Sequence, residues 1–110
     1  EKEIAAALEK EEAELLKRAK GFCIAMCIEG KQLDSTGLAK KLEQAAQGGE
    51  NGAVTFLIGS SYGLADAVKQ RANLRLSMSA MTFPHQLARV MLLEQIYRSY
   101  QILSGTKYHK

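Results

Sequence analysis

Tryptophan is absent from this 110-residue sequence, and proline (one residue) and cysteine (two residues) are scarce. Two cysteines without a secretory signal pattern exclude the disulfide framework of a small secreted domain and predict a reduced, cytoplasmic setting. The longest apolar stretch without a charge, residues 21–28, is far shorter than the ~20 residues that a membrane-spanning helix needs. We therefore predict no membrane segment and a core filled by aliphatic side chains and methionine.

Acidic residues are scarce in the second half of the chain. Residues 1–50 hold ten acids and eight bases, whereas residues 51–110 hold two acids and seven bases, so the second half carries +5 within an overall charge of +3. A basic half raises the local concentration of a polyanion such as RNA, although the same charge is compatible with simple solubility. Charge alone leaves nucleic-acid binding open.

What is present is the composition of a globular protein, with 46% apolar and 25% charged residues, and a length that predicts one domain over 1–110. Hydrophobic periodicity predicts, in chain order, a helix over 3–19, a buried strand over 21–28, a helix from 34–36 to 46, a buried strand over 53–58, a helix over 64–72, a strand over 74–78 and a helix over 85–103. This alternation predicts an α/β fold with at least three parallel strands, which bind ligands at their carboxyl ends.

The last helix is apolar around most of its circumference between Leu87 and Ile96, which is wider than the stripe of an ordinary surface helix. We therefore predict that one side of it packs on a second subunit. Pro84 is predicted at the first helical position, where its missing N–H does no harm.

Few residues indicate chemistry on their own. Cys23 and Cys27 share one face of a strand, but no further ligands have zinc-site spacing, so we predict two inert cysteines and no metal. The 59–63 loop is glycine-rich, yet it is neither a dinucleotide nor a triphosphate motif and fits a plain turn equally well. His85 and Arg89 share a face at the positive end of the last helix, which favours an anion, although such residues are more often surface groups.

Four segments together point to a family: residues 56–64, 76–86, 89–98 and 108–110. The sequences Met-Thr-Phe-Pro-His-Gln at 81–86 and Tyr-His-Lys at 108–110 are the most specific of them. Over nearly its whole length the sequence resembles the small SPOUT-class methyltransferases of the ribosomal RNA large-subunit methyltransferase H family. The resemblance implies a homodimeric, parallel-sheet SPOUT fold with a C-terminal trefoil knot, which periodicity does not reveal.

The function implied by the resemblance is S-adenosylmethionine-dependent methylation of N3 of a pseudouridine in helix 69 of 23S ribosomal RNA, on the assembled ribosome. Carried over by position, the residues that hold the cofactor are Met26, Gly59, Met78, Ser79, Ala80, Met81, Thr82 and Phe83. They lie at the carboxyl ends of the three predicted strands, where apolar side chains can cover adenine and backbone groups can fix its orientation.

The catalytic candidates implied by the resemblance are His85, Arg89, Tyr108 and His109. The two histidines are the base candidates because imidazole ordinarily titrates near pH 6.5. Arg89 is expected to stabilise the N3 anion or hold a phosphate, and Tyr108 to stack on or position the target base. Because SPOUT sites generally form at the dimer seam, the tail is expected to complete the partner's site.

Two departures from the family stand out. Ser60 follows Gly59 where members usually carry a second glycine, and a leading strand, helix and strand of the family are missing before Glu1. The alternatives therefore stay open that this chain binds RNA or ribosomes without catalysis, or serves as a knotted dimerisation fragment.

Overall fold

The computed structural model of the chain describes residues 2–59 and 63–105. Its elements are, in order, α1 (Lys2–Arg18), β1 (Phe22–Gln32), α2 (Ser35–Ala46), the single turn α3 (Gly49–Gly52), β2 (Val54–Leu57), α4 (Asp66–Arg71), β3 (Leu74–Ser77) and α5 (His85–Leu103). The predicted alternation of strands and helices is confirmed. None of the described helices is both long and apolar enough to cross a membrane.

The three strands form one parallel sheet in the order β2-β1-β3, so the first strand in the sequence is the central one. Phe22 pairs with Val54 on one side, and Ile24 pairs with Leu74 on the other. The α/β fold with three parallel strands is therefore confirmed. A central strand covered on both faces requires the continuous apolar run that the sequence has there.

The sheet buries a different apolar cluster on each face. On one face Cys23 and Ala25 pack with Leu57, Leu64 and Val68, with Leu15 of α1 against them. Ile24, which points to the other face, packs with the α2 leucines and with β3; that cluster comprises Ile24, Leu38, Leu42 and Leu76. Alternate residues of β1 thus hold α4 and α1 on one side and α2 on the other.

The prediction that the first strand ends at residue 28 is wrong, because β1 continues through Glu29-Gly30-Lys31 to Gln32. Its pairing with β3 is irregular: Met26 and Lys31 both pair with Leu76, so residues 27–30 bulge out between them. Gly30 permits the return, since a Cβ there would lie 2.7 Å from the carbonyl carbon of Arg75. The glycine allows two backbones to approach and does not end the strand.

The start of α2 is as predicted: the Asp34 carboxylate accepts a hydrogen bond from the N–H of Gly37 at 2.7 Å. That bond holds the pKa of Asp34 below its ordinary value.

Pro84 precedes the first helical residue of α5 and is its N-cap, one position earlier than predicted. After α2, Glu50 and Asn51 adopt left-handed conformations. The glycines before them, Gly48 and Gly49, did not indicate this.

A candidate ligand cleft at the end of the sheet

A cleft of about 160 Å³ opens at the carboxyl end of β3, beside the point in β1 where regular pairing with β3 gives way to the bulge, and the first turns of α5 line it as well. Its wall is mainly apolar, from residues 26–28 of β1, the residue after β2, the loop after β3 and the first turns of α5. The lining residues are Met26, Cys27, Ile28, Ile58, Leu76, Ser77, Met78, Ser79, Met81, Thr82, Phe83, Ala88, Arg89 and Leu92. Apolar walls with a few polar groups are typical of small-molecule sites.

Most of the residues that the resemblance assigned to a cofactor meet in this cleft. Met26 contributes from β1, and the loop after β3 contributes the others: Met78, Ser79, Met81, Thr82 and Phe83. Ala80 is exposed and is not among the lining residues. The structure thus brings together six of the eight residues in one wall, with Ala80 and Gly59 outside it.

Gly59 lies one residue beyond Ile58, which does line the cleft. Its backbone approaches Gly63 so closely that a Cβ at Gly59 would lie 2.3 Å from the Gly63 carbonyl oxygen. A glycine is therefore required there by the contact between the two backbones. Ser60 and the two residues after it lie outside the described residues.

Two hydrogen bonds shape the loop after β3. The Ser77 hydroxyl donates to the carbonyl oxygen of Ser79 at 3.0 Å. The Ser79 hydroxyl in turn accepts from the backbone N–H of Met81 at 3.0 Å. The carbonyl and the hydroxyl of Ser79 are thus both hydrogen-bonded, and these two bonds restrain the backbone that forms this wall of the cleft.

Arg89 is the one catalytic candidate whose side chain is both described and part of the cleft wall. His85 is the first residue of α5, so its backbone lies at the positive end of the helix beside the cleft, while its side chain is outside the described set. Tyr108 and His109 also lie outside the described residues. Their assigned roles stay predictions.

Cys27 lines the cleft as a partly exposed thiol. Burial is the main cause that raises its pKa, and the nearby carboxylate of Glu29 adds to the effect. The thiol therefore stays protonated at neutral pH and is a poor nucleophile. Glu29 is itself held by an ion pair with Lys69 of α4, which lowers the pKa of Glu29 and raises that of Lys69.

Sequence reasoning missed seven lining residues: Cys27, Ile28, Ile58, Leu76, Ser77, Ala88 and Leu92. The rule that ligands bind at the carboxyl ends of parallel strands points to Ile58 and Ser77, because each stands at or just past a strand end. Cys27 stands where the β1 bulge begins, and Ala88 and Leu92 reach the cleft only because α5 returns to it, which no local pattern shows. Among the described residues, no three or more His, Cys, Asp or Glu side chains gather as metal ligands would.

A second groove, of about 530 Å³, lies between α2, β3 and α5. It shares Leu76, Ser77, Met78 and Leu92 with the cleft, so these residues form a common wall. The cleft itself is smaller than the 300–1,000 Å³ of ordinary ligand sites.

The comparison with known proteins agrees with this arrangement. The family model described as "Predicted SPOUT methyltransferase" matches residues 1–109. The chain belongs to the SPOUT methyltransferase family. The methyltransferase prediction is thereby confirmed at the level of the family, and the parallel sheet with a cleft at its carboxyl ends belongs to a SPOUT chain.

Several proteins similar to this SPOUT chain are named "Ribosomal RNA large subunit methyltransferase H". The one from Streptococcus thermophilus is 47% identical over 112 residues, which cover 100% of the chain and 70% of that protein. The one from Clostridioides difficile is 48% identical over 111 residues, or 99% of the chain and 69% of that protein. The one from Caldicellulosiruptor saccharolyticus is 47% identical over 105 residues, or 94% and 67%. The SPOUT chain thus spans about two thirds of the length of the curated relatives it matches.

Proposed function

We propose that this chain is an S-adenosylmethionine-dependent methyltransferase that modifies N3 of a pseudouridine in helix 69 of 23S ribosomal RNA, on the assembled ribosome in the cytoplasm. The observation that carries the proposal is the cleft at the carboxyl end of β3 and the start of the β1 bulge, in a chain whose relatives are named "Ribosomal RNA large subunit methyltransferase H". The basic second half of the sequence supports an RNA substrate.

The cleft residues fit the proposed cofactor. Met26, Ile58 and Leu92 offer apolar surface to an adenine ring, while the backbone after β3 offers hydrogen-bonding groups. When bound, S-adenosylmethionine supplies a methyl carbon activated by its sulfonium. The protein's task is then alignment, because a displacement at a methyl carbon gains about 7–11 kcal/mol from well-held geometry.

The start of α5 is the proposed place for the target base. Arg89 and the positive end of the helix favour the negative charge that develops on N3 when it loses its proton. His85 and His109 are the proposed proton acceptors, and Tyr108 is proposed to stack on the base. Met26, Gly59 and residues 78–83 are the proposed cofactor contacts, Ala80 through its backbone.

A homodimer with a knotted C-terminal half completes the proposal. α5 exposes six large apolar or aromatic side chains: Leu87, Val90, Leu93, Tyr97, Tyr100 and Leu103. A contiguous apolar face of this kind is typical of a protein interface. Because the cleft of one copy is small, the partner's tail is proposed to close it.

Methyl transfer to ribosomes tests the proposal directly. Incubation of the chain with assembled ribosomes and tritiated S-adenosylmethionine should place the label on one 23S nucleoside, which mass spectrometry identifies. Arg89→Ala should slow the transfer by about ten- to a hundredfold, because a charge-stabilising donor is lost. Arg71→Ala is the matched control, since Arg71 is exposed at the end of α4 and is not a cleft residue.

The binding-module alternative and the enzymatic proposal differ in whether the chain binds the cofactor. Calorimetry separates the two: a catalytic chain binds S-adenosylmethionine, whereas a docking or dimerisation fragment does not. No heat at millimolar cofactor, together with no transfer of label, would overturn the enzymatic proposal.

A further inference from the structure

Two serines are the buried polar side chains of the described core. Ser77 is 3% exposed at the end of β3, and Ser99 is fully buried on α5. Each hydroxyl donates one hydrogen bond to a backbone carbonyl: Ser77 to Ser79 at 3.0 Å, and Ser99 to Gln95 at 2.8 Å. The bond of Ser99 lies within its own helix, where the backbone is already fixed, and Ser99 is not a cleft residue.

The bond of Ser77 lies where the backbone has no regular structure to fix it. β3 ends at Ser77, and the chain runs through residues 78–84 as a loop until α5 begins at His85. The carbonyl oxygen of Ser79 accepts a hydrogen bond from the Ser77 hydroxyl, and the Ser79 hydroxyl accepts one from the backbone N–H of Met81. The buried Ser77 side chain thus makes the first of two consecutive hydrogen bonds along the cleft wall.

Ser77 also stands in the wall that the cleft shares with the groove between α2 and α5. Ser77 therefore borders the cleft, the groove and the loop that its hydroxyl holds. Ser77→Ala removes the donor to Ser79 and keeps the Cβ. The loss falls on the loop conformation and leaves the packing of the sheet in place.

We propose that Ser77 is a positioning residue for the methyl donor: its hydroxyl, through the carbonyl of Ser79, holds the loop over 78–82 in the conformation that receives S-adenosylmethionine. The inference rests on the proposed function of the cleft. Ser77 acts through the backbone of Ser79. Its removal should therefore weaken cofactor binding, while the rate at saturating cofactor changes little.

The first test compares the two buried serines in the full 110-residue chain by calorimetry with S-adenosylmethionine. Ser77→Ala should raise the Kd by about three- to tenfold, the range that corresponds to one net hydrogen bond. Ser99→Ala removes an equally buried hydroxyl and should leave the Kd within about twofold of the unmodified chain. If both variants weaken binding alike, the effect is a general loss of stability and the inference is wrong.

A second pair of variants isolates the hydroxyl even if Ser77→Ala folds poorly. Ser77→Thr and Ser77→Val add the same volume at the same place and differ only by a hydroxyl against a methyl group. The Thr variant should bind S-adenosylmethionine about three- to tenfold more tightly than the Val variant. In ribosome methylation the difference should lie in KM for the cofactor, with kcat nearly equal.

The outcomes separate this inference from the proposed function. Equal Kd values for the Thr and Val variants, in a chain that binds the cofactor, would overturn the role of Ser77 alone. Absence of binding by the unmodified chain would overturn the proposed function and this role with it. A difference that falls in kcat with KM unchanged would also contradict the role, because a positioning residue of the donor loop acts on cofactor binding.

Discussion

The two long helices of this chain, α1 and α5, differ in how much of their apolar surface they expose. α1 has a narrow apolar stripe, and Leu15 on that stripe packs against the cluster on one face of the sheet. α5 buries Leu92 and Ser99 on its inner side, yet its other side exposes large residues such as Val90, Leu93 and Tyr97. The difference teaches that, among the described side chains, α1 leaves one large apolar group, Leu16, exposed, whereas α5 leaves six and so keeps a face that another surface can cover.

Adjacent residues of α5 make this division sharp. Leu92 is 3% exposed and Leu93 is 65% exposed, although both are leucines in the middle of one helix. Ala13 on α1 is exposed too, but its neighbours Glu12 and Glu14 are charged. A new charge should therefore be tolerated on the outside of α1 and harmful on the outside of α5.

The largest effect is expected from Leu93→Asp. A carboxylate in the middle of the proposed dimer face is buried without a partner on association, so the dimer should weaken by more than about a hundredfold. Methylation of ribosomes should be lost with it. Sedimentation equilibrium measures the association, and Ala13→Asp is the control that should remain dimeric and active. A fully active, dimeric Leu93→Asp variant would show that the exposed face of α5 is not the interface.

The second-largest effect is a difference in stability between variants of the neighbouring residues Leu92 and Leu93. Leu92→Ala should lower the free energy of unfolding by about 2–5 kcal/mol at any protein concentration, because it leaves a cavity in the core. Leu93→Ala should cost less than about 1 kcal/mol in a monomer, and its larger effect should emerge only at concentrations where the dimer forms. Urea unfolding at low and high protein concentration checks both values. Similar losses in dilute protein would contradict the division of α5 into two faces.

The smallest effect compares two ion pairs of the same spacing. On α1, Glu14 and Arg18 approach at 3.4 Å with side chains 58% and 79% exposed. On α5, Arg98 donates to both carboxylate oxygens of Glu94, at 3.2 and 3.1 Å, with side chains 24% and 38% exposed. Glu94→Gln should cost about 1 kcal/mol of stability, and Glu14→Gln no more than about 0.3 kcal/mol.

Urea unfolding at low and at high salt measures both changes. The cost at Glu14 should vanish in high salt, whereas part of the cost at Glu94 should persist because that pair is partly shielded from solvent. Equal costs for the two pairs would show that exposure does not distinguish the helices in this respect.

Much of the fold was predictable because its elements carry strong local patterns. The apolar run that became β1 could be recognised alone, and so could the start of α2 within residues 34–36. The bulge over 27–30 could not, because Glu29-Gly30-Lys31 has the composition of a turn. What keeps that segment in the strand is its return to Leu76, a contact with a residue far away in the sequence.

The candidate site also has a part that the sequence predicted and a part that it did not. Met78, Ser79 and Met81 could be assigned from the resemblance, and the cleft contains them. Ser77 could not be singled out, since a serine at the end of a short strand is an ordinary residue in the sequence. Its role depends on burial and on a bond to a carbonyl two residues later, which only the folded geometry provides.

The central position of β1 has a consequence for how the chain folds. β1 leaves the ribosome before either of its neighbours, and its partners Val54 and Leu74 come after α2 and α4 respectively. During synthesis its pairing with β2 and β3 has to wait until α2 and α4 have been made. Parallel pairing over such separations is slow. We therefore expect closure of the sheet around β1 to limit the folding rate, and the waiting strand to be the segment most in need of a chaperone.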